Sequence, residues 1–337
     1  MKKLISLALA LVLILSLSTV AFAAEDQDAS FTKTYKITNA GTSNPEETFT
    51  FTYTADRITD SNANLTVSQM PEIPASTVKF DANTATTDGL EKTVGVALDR
   101  VTWPGVGVYY YKVNETAGST AGVSYDGTDA YLKITVAYDE GTETFYTAFV
   151  TLNLADANGD GITDSKIGGF TNEYSAGNLQ ITKDVTGNMG DQSAYFAVDV
   201  TLTGVAGKTY AETYAVSGGS YENNPTSISI GTLTTFYLKH GDTITIKNLP
   251  YDVTYAVVEQ DYTSEEKGGY QAATYTWSDE DGKKIDSAND TVKITNHKST
   301  TVDTGISMDS MPYILLLAVA AMGLAVLFTR KRMMREF

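Results

Sequence analysis

The sequence predicts an all-β protein built from two tandem β-sandwich domains. Short runs in which apolar and polar residues alternate recur along the chain, and clusters of Gly, Asn and Asp separate them. A break near residues 173–177 divides the central part into halves of similar length. No helical periodicity is visible outside the two end segments, so the turn-rich spacing favours sandwiches over a parallel sheet.

The N-terminus has the pattern of a secretory signal peptide, which we predict over residues 1–23. Two lysines after the initiator methionine precede a long apolar run, and Ala21-Phe22-Ala23 forms a small-x-small cleavage site. We therefore expect an exported mature chain that starts near Ala24.

The central part contains the alternating runs and is predicted to form domains at residues 25–174 and 175–299. With 42% apolar and 10% aromatic residues in 337, the chain can form two cores of ordinary size. The runs include TFTFTYTA, YLKITVAY, TFYTAFVTLNL, YFAVDVTL, DTITIKNL and VTYAVVE.

The C-terminal segment, residues 301–337, combines the features of a sorting signal. An apolar run over residues 311–328, near the lower limit for a bilayer span, is followed by the basic sequence RKRMMR. The preceding stretch Val302-Asp303-Thr304-Gly305 resembles the signals that Gram-positive sortases cut between threonine and glycine, although it lacks the usual Leu-Pro start. We expect a transient transmembrane anchor and cleavage between Thr304 and Gly305.

Charge and cysteine content restrict the class of function. Acidic residues outnumber basic ones 41 to 24, for a net charge of −17, so the chain has no electrostatic footprint for nucleic acid. It contains no cysteine, although small secreted domains often depend on disulfides. An exported chain without disulfides needs ample cores or another covalent link.

Six polar residues fall on the apolar faces of predicted strands. Alternate residues of a strand share a face, and each of the six aligns with apolar residues two positions away. One such residue could reach solvent through a long side chain, but the order Lys, Glu, Asn occurs once in each half. The residues are Lys33, Glu115 and Asn172 in the first half and Lys183, Glu259 and Asn296 in the second.

This order resembles the two-domain major, or backbone, pilins of Gram-positive bacteria. The first half carries the resemblance in WPGVGVYYYKVNE, and the second in FYLKHGDTITIKNLPYDVTYAVVE. It extends over essentially the whole mature chain. It implies immunoglobulin-like domains related to collagen-adhesin B-type domains, each closed by an intramolecular Lys-Asn isopeptide bond.

The implied chemistry fits these residue types. Burial lowers the pKa of a lysine and raises that of a glutamate, so the amine becomes a nucleophile and the carboxyl a proton donor as ammonia leaves. Each reaction is a single self-crosslinking event, needs no cofactor and does not make the protein an enzyme. Links between residues roughly 110 and 140 positions apart contribute on the order of 4 to 5 kcal/mol each in the loop-entropy model. The implied pairs are Lys33 with Asn172, assisted by Glu115, and Lys183 with Asn296, assisted by Glu259.

Polymerisation needs a lysine that accepts the threonine of the next subunit. The resemblance places it just before the last strand of the first domain, where Lys166 stands; Lys36 is a weaker rival. The implied partners are identical subunits, a pilin sortase, minor pilins and cell-wall peptidoglycan, with the membrane as a partner only before sorting. We expect a pilus anchored to the cell wall.

Alternatives remain open for one loop and for the function as a whole. Asp156, Asn158 and Asp160 fit the start of an EF-hand-type calcium loop, but position twelve is Ile167 and no helices flank it, which favours a polar hairpin turn. The two histidines, without cysteines, form no zinc set. The alternative function is a singly wall-anchored adhesin or minor pilin that binds a host ligand.

Overall fold

The computed structural model describes residues 29–61, 64–156, 161–278, 283–300 and 311–333. Strands dominate these residues, which confirms the predicted all-β class. Among them there is one α-helix, α1 (Met311–Met333), together with two single-turn 3-10 helices at Val67–Gln69 and Glu265–Lys267 that the sequence pattern did not predict.

The N-terminal sandwich consists of two sheets, with strand orders β4-β1-β10-β6 and β3-β2-β5-β7-β8-β9. Its strands are β1 (Ala29–Ile37), β2 (Glu47–Thr59), β3 (Ser76–Phe80), β4 (Leu90–Val96), β5 (Gly107–Glu115), β6 (Val123–Ser124), β7 (Ala130–Asp139), β8 (Thr144–Ala155), β9 (Ile162–Lys166) and β10 (Gly169–Tyr174).

The C-terminal sandwich also has two sheets, with orders β14-β13-β16-β11-β19-β18 and β15-β12-β17. Its strands are β11 (Ala176–Thr186), β12 (Phe196–Thr203), β13 (Tyr214–Gly218), β14 (Ser227–Ile228), β15 (Thr234–Leu238), β16 (Thr243–Pro250), β17 (Thr254–Glu259), β18 (Thr274–Trp277) and β19 (Asn289–His297).

The alternating pattern of β1 determines which side chains form the first core. Every second residue of ASFTKTYKI is buried, as expected for a strand that turns one face inwards. Phe31 and Tyr35 of β1 make edge-to-face contacts with Phe51 and Phe49 of β2, with ring centroids 4.9 and 5.2 Å apart. These aromatic pairs pack the two sheets against each other.

The first and last strands of the N-terminal sandwich, β1 and β10, are parallel neighbours. Gly169 begins β10 directly beside β1, and a Cβ at this position would overlap the carbonyl oxygen of Thr32. Glycine therefore allows the backbones to approach from the first residue of the pairing. Only Ser175 separates β10 from β11, so the chain passes directly from one sandwich into the next. The domain boundaries at residues 174 and 175 remain a prediction.

By density of contacts the chain divides into two compact units. The larger unit contains both sheets of the N-terminal sandwich and most strands of the C-terminal one. The smaller unit consists of two short segments from the second half of the chain and the C-terminal end. The larger comprises Met1–Asp184, Ser193–Gln260 and Thr274–Ile294; the smaller comprises Val185–Gln192, Asp261–Ala273 and Thr295–Phe337.

The helix α1 agrees with the C-terminal apolar segment found in the sequence. Its residues Pro312–Lys331 are long and apolar enough to cross a membrane, by length and composition. Their side chains are exposed, as expected for a helix whose apolar surface is not covered by the rest of the chain.

Candidate crosslinking sites

The first candidate site lies between the two sheets of the N-terminal sandwich. Lys33 stands at the centre of β1, and Glu115 is the last residue of β5 in the other sheet. Asn172 lies on β10 with Tyr35 of β1 as its register partner. Because Lys33 and Tyr35 share a face of β1, this register points the lysine and asparagine side chains into the same space.

These side chains form a closed set of hydrogen bonds. The Lys33 Nζ donates to Glu115 Oε2 at 2.6 Å and to Asn172 Oδ1 at 2.6 Å. The Asn172 Nδ2 in turn donates to Glu115 Oε1. Lys33, Asn172 and the Glu115 side chain are all 0% exposed. The three predicted residues of the first domain are therefore in direct contact and shielded from water.

Burial moves both charged groups of this site towards neutrality. Desolvation lowers the pKa of Lys33, and the charge and hydrogen bond of Glu115 oppose that effect only in part. Desolvation likewise raises the pKa of Glu115, against the opposing effects of Lys33 and of the Asn172 hydrogen bond. The Phe49 ring, whose centroid is 4.6 Å from the Lys33 Nζ, forms part of the apolar wall.

The arrangement has the parts needed for amide exchange. The Lys33 amine, whose pKa burial lowers, lies beside a carboxamide, and the Glu115 carboxyl contacts both the amine and the amide nitrogen that would leave. One carboxyl can therefore take a proton from the nucleophile and give one to the leaving group. Since no proton has to cross bulk water, a dry site suits this reaction.

The second candidate site contains the corresponding lysine and glutamate. Lys183 of β11 and Glu259, the last residue of β17, form an ion pair with Nζ and Oε2 3.0 Å apart, and both side chains are at most 1% exposed. Desolvation lowers the pKa of Lys183 against the opposing charge of Glu259. The Phe196 ring centroid lies 4.4 Å from the amine. The buried lysine, its glutamate partner and the aromatic ring beside the amine thus correspond to those around Lys33.

Asn296 lies on β19, which is adjacent to β11 in the sheet, and it is 1% exposed. Its backbone carbonyl accepts a hydrogen bond from the Thr186 hydroxyl at 3.3 Å. A buried asparagine on the last strand is what the sequence analysis expected. Its pairing with Lys183 stays a prediction.

The two candidate acceptor lysines have different surroundings. Lys166 ends β9, an edge strand of its sheet, where its side chain is exposed. Within the described part of the chain it makes no ion pair. Lys36, on the outward face of β1, forms an ion pair with Glu173 at 3.4 Å. The edge position of Lys166 leaves room for an incoming chain end.

Several predicted sites lie wholly or partly outside the described residues. The cleavage pair Thr304 and Gly305 falls there, as do Asn158 and Asp160 of the possible calcium loop. Asp156 is described, and its backbone N–H donates to the Gly161 carbonyl at 3.0 Å. Among the described residues no group of three or more His, Cys, Asp or Glu is placed to hold a metal ion.

One group at the first site was not predicted from the sequence. The backbone N–H of Asp126 donates to Asn172 Oδ1 at 2.8 Å. A backbone donor from a loop leaves no mark in residue type or spacing, so no pattern in this sequence could have identified it.

Comparisons with known proteins find a family match in each half of the chain. Residues 29–175 match the family described as a Spy0128-like isopeptide containing domain, and residues 177–298 match a domain family of unknown function. A pilin of Streptococcus pyogenes serotype M1 is 28% identical over 319 residues, which is 89% of each chain.

Solved structures show the same fold. The crystal structure of the major pilin from Streptococcus pyogenes matches with a TM-score of 0.55 and 24% identity, over 82% of this chain and all of that one. A mutant of that pilin matches at 25% identity with a TM-score of 0.54, over 80% and 98% of the two chains. The resemblance to the two-domain Gram-positive major pilins is thereby confirmed, with an isopeptide-domain match in residues 29–175 and similarity to a streptococcal pilin over most of the chain.

Proposed function

We propose that this chain is a structural subunit of a covalently assembled pilus on the cell surface, stabilised by self-formed isopeptide bonds. The observation that carries the proposal is the buried hydrogen-bonded set of Lys33, Glu115 and Asn172. A streptococcal pilin is 28% identical to this chain over 89% of its length, which supports the same function.

The proposed internal bonds join Lys33 to Asn172 and Lys183 to Asn296. In each reaction the lysine amine attacks the side-chain carboxamide carbon, a new amide forms, and the former amide nitrogen leaves as ammonia. The glutamate of each domain moves the protons, and no oxidant or cofactor is consumed. An amide link resists reduction, so it suits an exported chain without cysteine.

Intact mass tests these bonds directly. Residues 24–304 should weigh about 34 Da less than the sequence sum, since each bond releases one ammonia of about 17 Da. Glu115→Ala and Glu259→Ala should each restore about 17 Da, because lysine and asparagine remain without their proton carrier. The control Glu222→Ala, at an exposed position, should keep both losses. An unshifted parent mass contradicts the crosslinks, and an unchanged loss in either glutamate variant contradicts its assignment.

The proposed polymerisation uses the two ends of the subunit. The apolar helix α1 holds the exported chain at the membrane until a pilin sortase cuts after Thr304. The threonine carbonyl is then joined to Lys166 of the next subunit, and the finished polymer is attached to peptidoglycan, with minor pilins added. The exposed edge position of Lys166 and the ion pair of Lys36 support this choice of acceptor.

Denaturing gels of surface extracts separate this function from that of a singly anchored adhesin. A polymerised subunit should give a ladder of high-mass bands, whereas a singly anchored adhesin or minor pilin should give one band. Lys166→Arg should abolish the ladder because the arginine side chain is not an amine nucleophile. Lys36→Arg is the matched control and should keep it. The reverse pattern in these two variants would make Lys36 the acceptor.

A further inference from the structure

Asp126 lies in the loop between β6 and β7, beside β10. Strand β6 pairs only with Glu173 and Tyr174 of β10, and the Asp126 side chain continues the contacts beyond that pairing. Its Oδ2 accepts the backbone N–H of Thr171 at 2.7 Å, and its Oδ1 accepts that of Thr128 at 2.9 Å. Two hydrogen bonds thus fix this loop next to the strand that carries Asn172.

The backbone N–H of the same residue points at the reacting carbonyl. It donates to Asn172 Oδ1, the ground-state carbonyl oxygen, at 2.8 Å, and an oxyanion would develop on this same atom. When an amine attacks the Asn172 side-chain carbon, the electrons of the C=O double bond move to this oxygen. The donor is therefore already in place where negative charge develops.

Lys33 cannot donate a hydrogen bond to the oxyanion during the reaction. In the described part of the chain the donors to Asn172 Oδ1 are Lys33 and the Asp126 N–H. Once the Lys33 nitrogen has begun to bond to the side-chain carbon of Asn172, it no longer donates to the oxygen of that same group. The Asp126 N–H then remains as the donor.

We propose that the Asp126 backbone N–H stabilises the oxyanion in the first-domain crosslinking reaction, and that the Asp126 carboxylate positions it. This inference rests on the proposed function. The Nζ–C bond forms and the charge goes to Oδ1; Glu115 protonates Nδ2, the C–N bond breaks and ammonia leaves. The proton released from Nζ returns to Glu115, so lysine amine and carboxamide give amide and ammonia.

The charge of the Asp126 carboxylate has opposite consequences for the two reacting groups. A nearby negative charge favours a protonated amine, and Asp126 accordingly raises the pKa of Lys33 against the larger effect of burial. That effect works against a neutral nucleophile, whereas the same charge helps to raise the pKa of Glu115 and so favours the proton donor. The carboxylate is useful because of the backbone hydrogen bonds that it accepts, which hold the loop.

An amide-to-ester substitution tests the N–H alone. Residues 24–304 are made by cell-free translation with the α-hydroxy acid analogue of aspartate at position 126, which removes the N–H and keeps the side chain. Loss of 17 Da is followed by mass spectrometry, and peptide mapping assigns it to a domain. We expect the Lys33–Asn172 bond to form about 100- to 1,000-fold more slowly, as for loss of one oxyanion donor, while the Lys183–Asn296 bond forms at the parent rate.

Matched variants separate this role from a structural one. An ester at Gly127, one peptide further on, should leave the first-domain rate within twofold of the parent. In a Lys33→Met background the first-domain bond cannot form. There, the ester at position 126 should lower the melting temperature no more than the ester at Gly127. Asp126→Asn keeps the N–H but loses one acceptor oxygen, so it should slow the reaction less than the ester.

The outcomes distinguish this inference from the proposed function. A parent chain that never loses ammonia from the first domain refutes the crosslink itself. A parent that reacts, with an ester variant that reacts within twofold of its rate, overturns the oxyanion assignment alone. The oxyanion assignment is also overturned if Asp126→Asn forms the first-domain bond more slowly than the ester does. It is likewise overturned if the position-126 ester destabilises the Lys33→Met chain more than the Gly127 ester does.

Discussion

Removing the first internal bond should lower the stability of the N-terminal domain by a predictable amount. Lys33 and Asn172 are 139 residues apart in sequence, so the proposed bond between them would close a loop that contains almost the whole domain. In the loop-entropy model a link of that length contributes about 5 kcal/mol at 25 °C by restricting the unfolded chain. Asn172→Ala removes this contribution but leaves the buried Lys33–Glu115 pair.

That free energy corresponds to a large shift in melting temperature. A domain of about 150 residues loses roughly 2 to 4 °C for each kcal/mol, so the first-domain transition of Asn172→Ala should fall by about 10 to 20 °C. Lys33→Met prevents the same bond and also leaves the buried Glu115 carboxyl without its lysine partner, so its transition should fall by a similar or larger amount.

The assay is thermal unfolding of residues 24–304, followed by far-ultraviolet circular dichroism, with intact mass measured on each sample. Asn114→Ala, an exposed asparagine of β5, is the matched control and should change the transition by no more than a few degrees. A drop of less than about 5 °C in an Asn172→Ala chain that has lost the bond would refute the loop-entropy reasoning.

Two further predictions concern force and pH. In single molecules held at Lys166 and at the C-terminus, Asn296→Ala should release roughly 110 further residues, on the order of 350 to 400 Å of extension. Asn172→Ala should add little, because most of the first domain lies off the covalent path; a larger extension from Asn172→Ala would contradict this load path. In the unlinked Asn172→Ala chain, burial lowers the folded-state pKa of Lys33 below its ordinary value of 10.5. At a pH between these two values, the unfolded state binds a proton on Lys33 that the folded state has lost. Urea unfolding should therefore show that the free energy of unfolding of this chain rises as the pH increases towards 10.5, relative to that of the same chain carrying Lys33→Met. A difference between the two chains that does not change with pH would contradict the lowered pKa.

The sequence predicted the class of fold and the residues of the first site for one physical reason. A strand turns alternate residues to opposite faces, so a polar residue in phase with apolar neighbours is expected on the buried face, and the repeated order Lys, Glu, Asn strengthened that expectation. That argument located Lys33, Glu115 and Asn172, which the structure places in contact.

Other features depend on contacts that residue types do not encode. The parallel register of β1 and β10 follows from close backbone approach at Gly169, and a glycine in a sequence does not say which strand will lie beside it. The Asp126 donor is a backbone group, and its position depends on the loop path after β6. Alternation along one strand contains no information about either arrangement.

The placement of the first-site residues on β1 and β10 has a consequence for the time at which the bond can form. A chain exported from its N-terminus delivers the amine of Lys33 early and the carboxamide of Asn172 only with the strand that completes the sandwich. The desolvation that makes the amine nucleophilic also requires both sheets to be assembled. A chain halted before Asn172 has crossed the membrane therefore stays unlinked and can still be threaded or degraded, so the proposed amide would mark those chains whose first domain has been exported and folded.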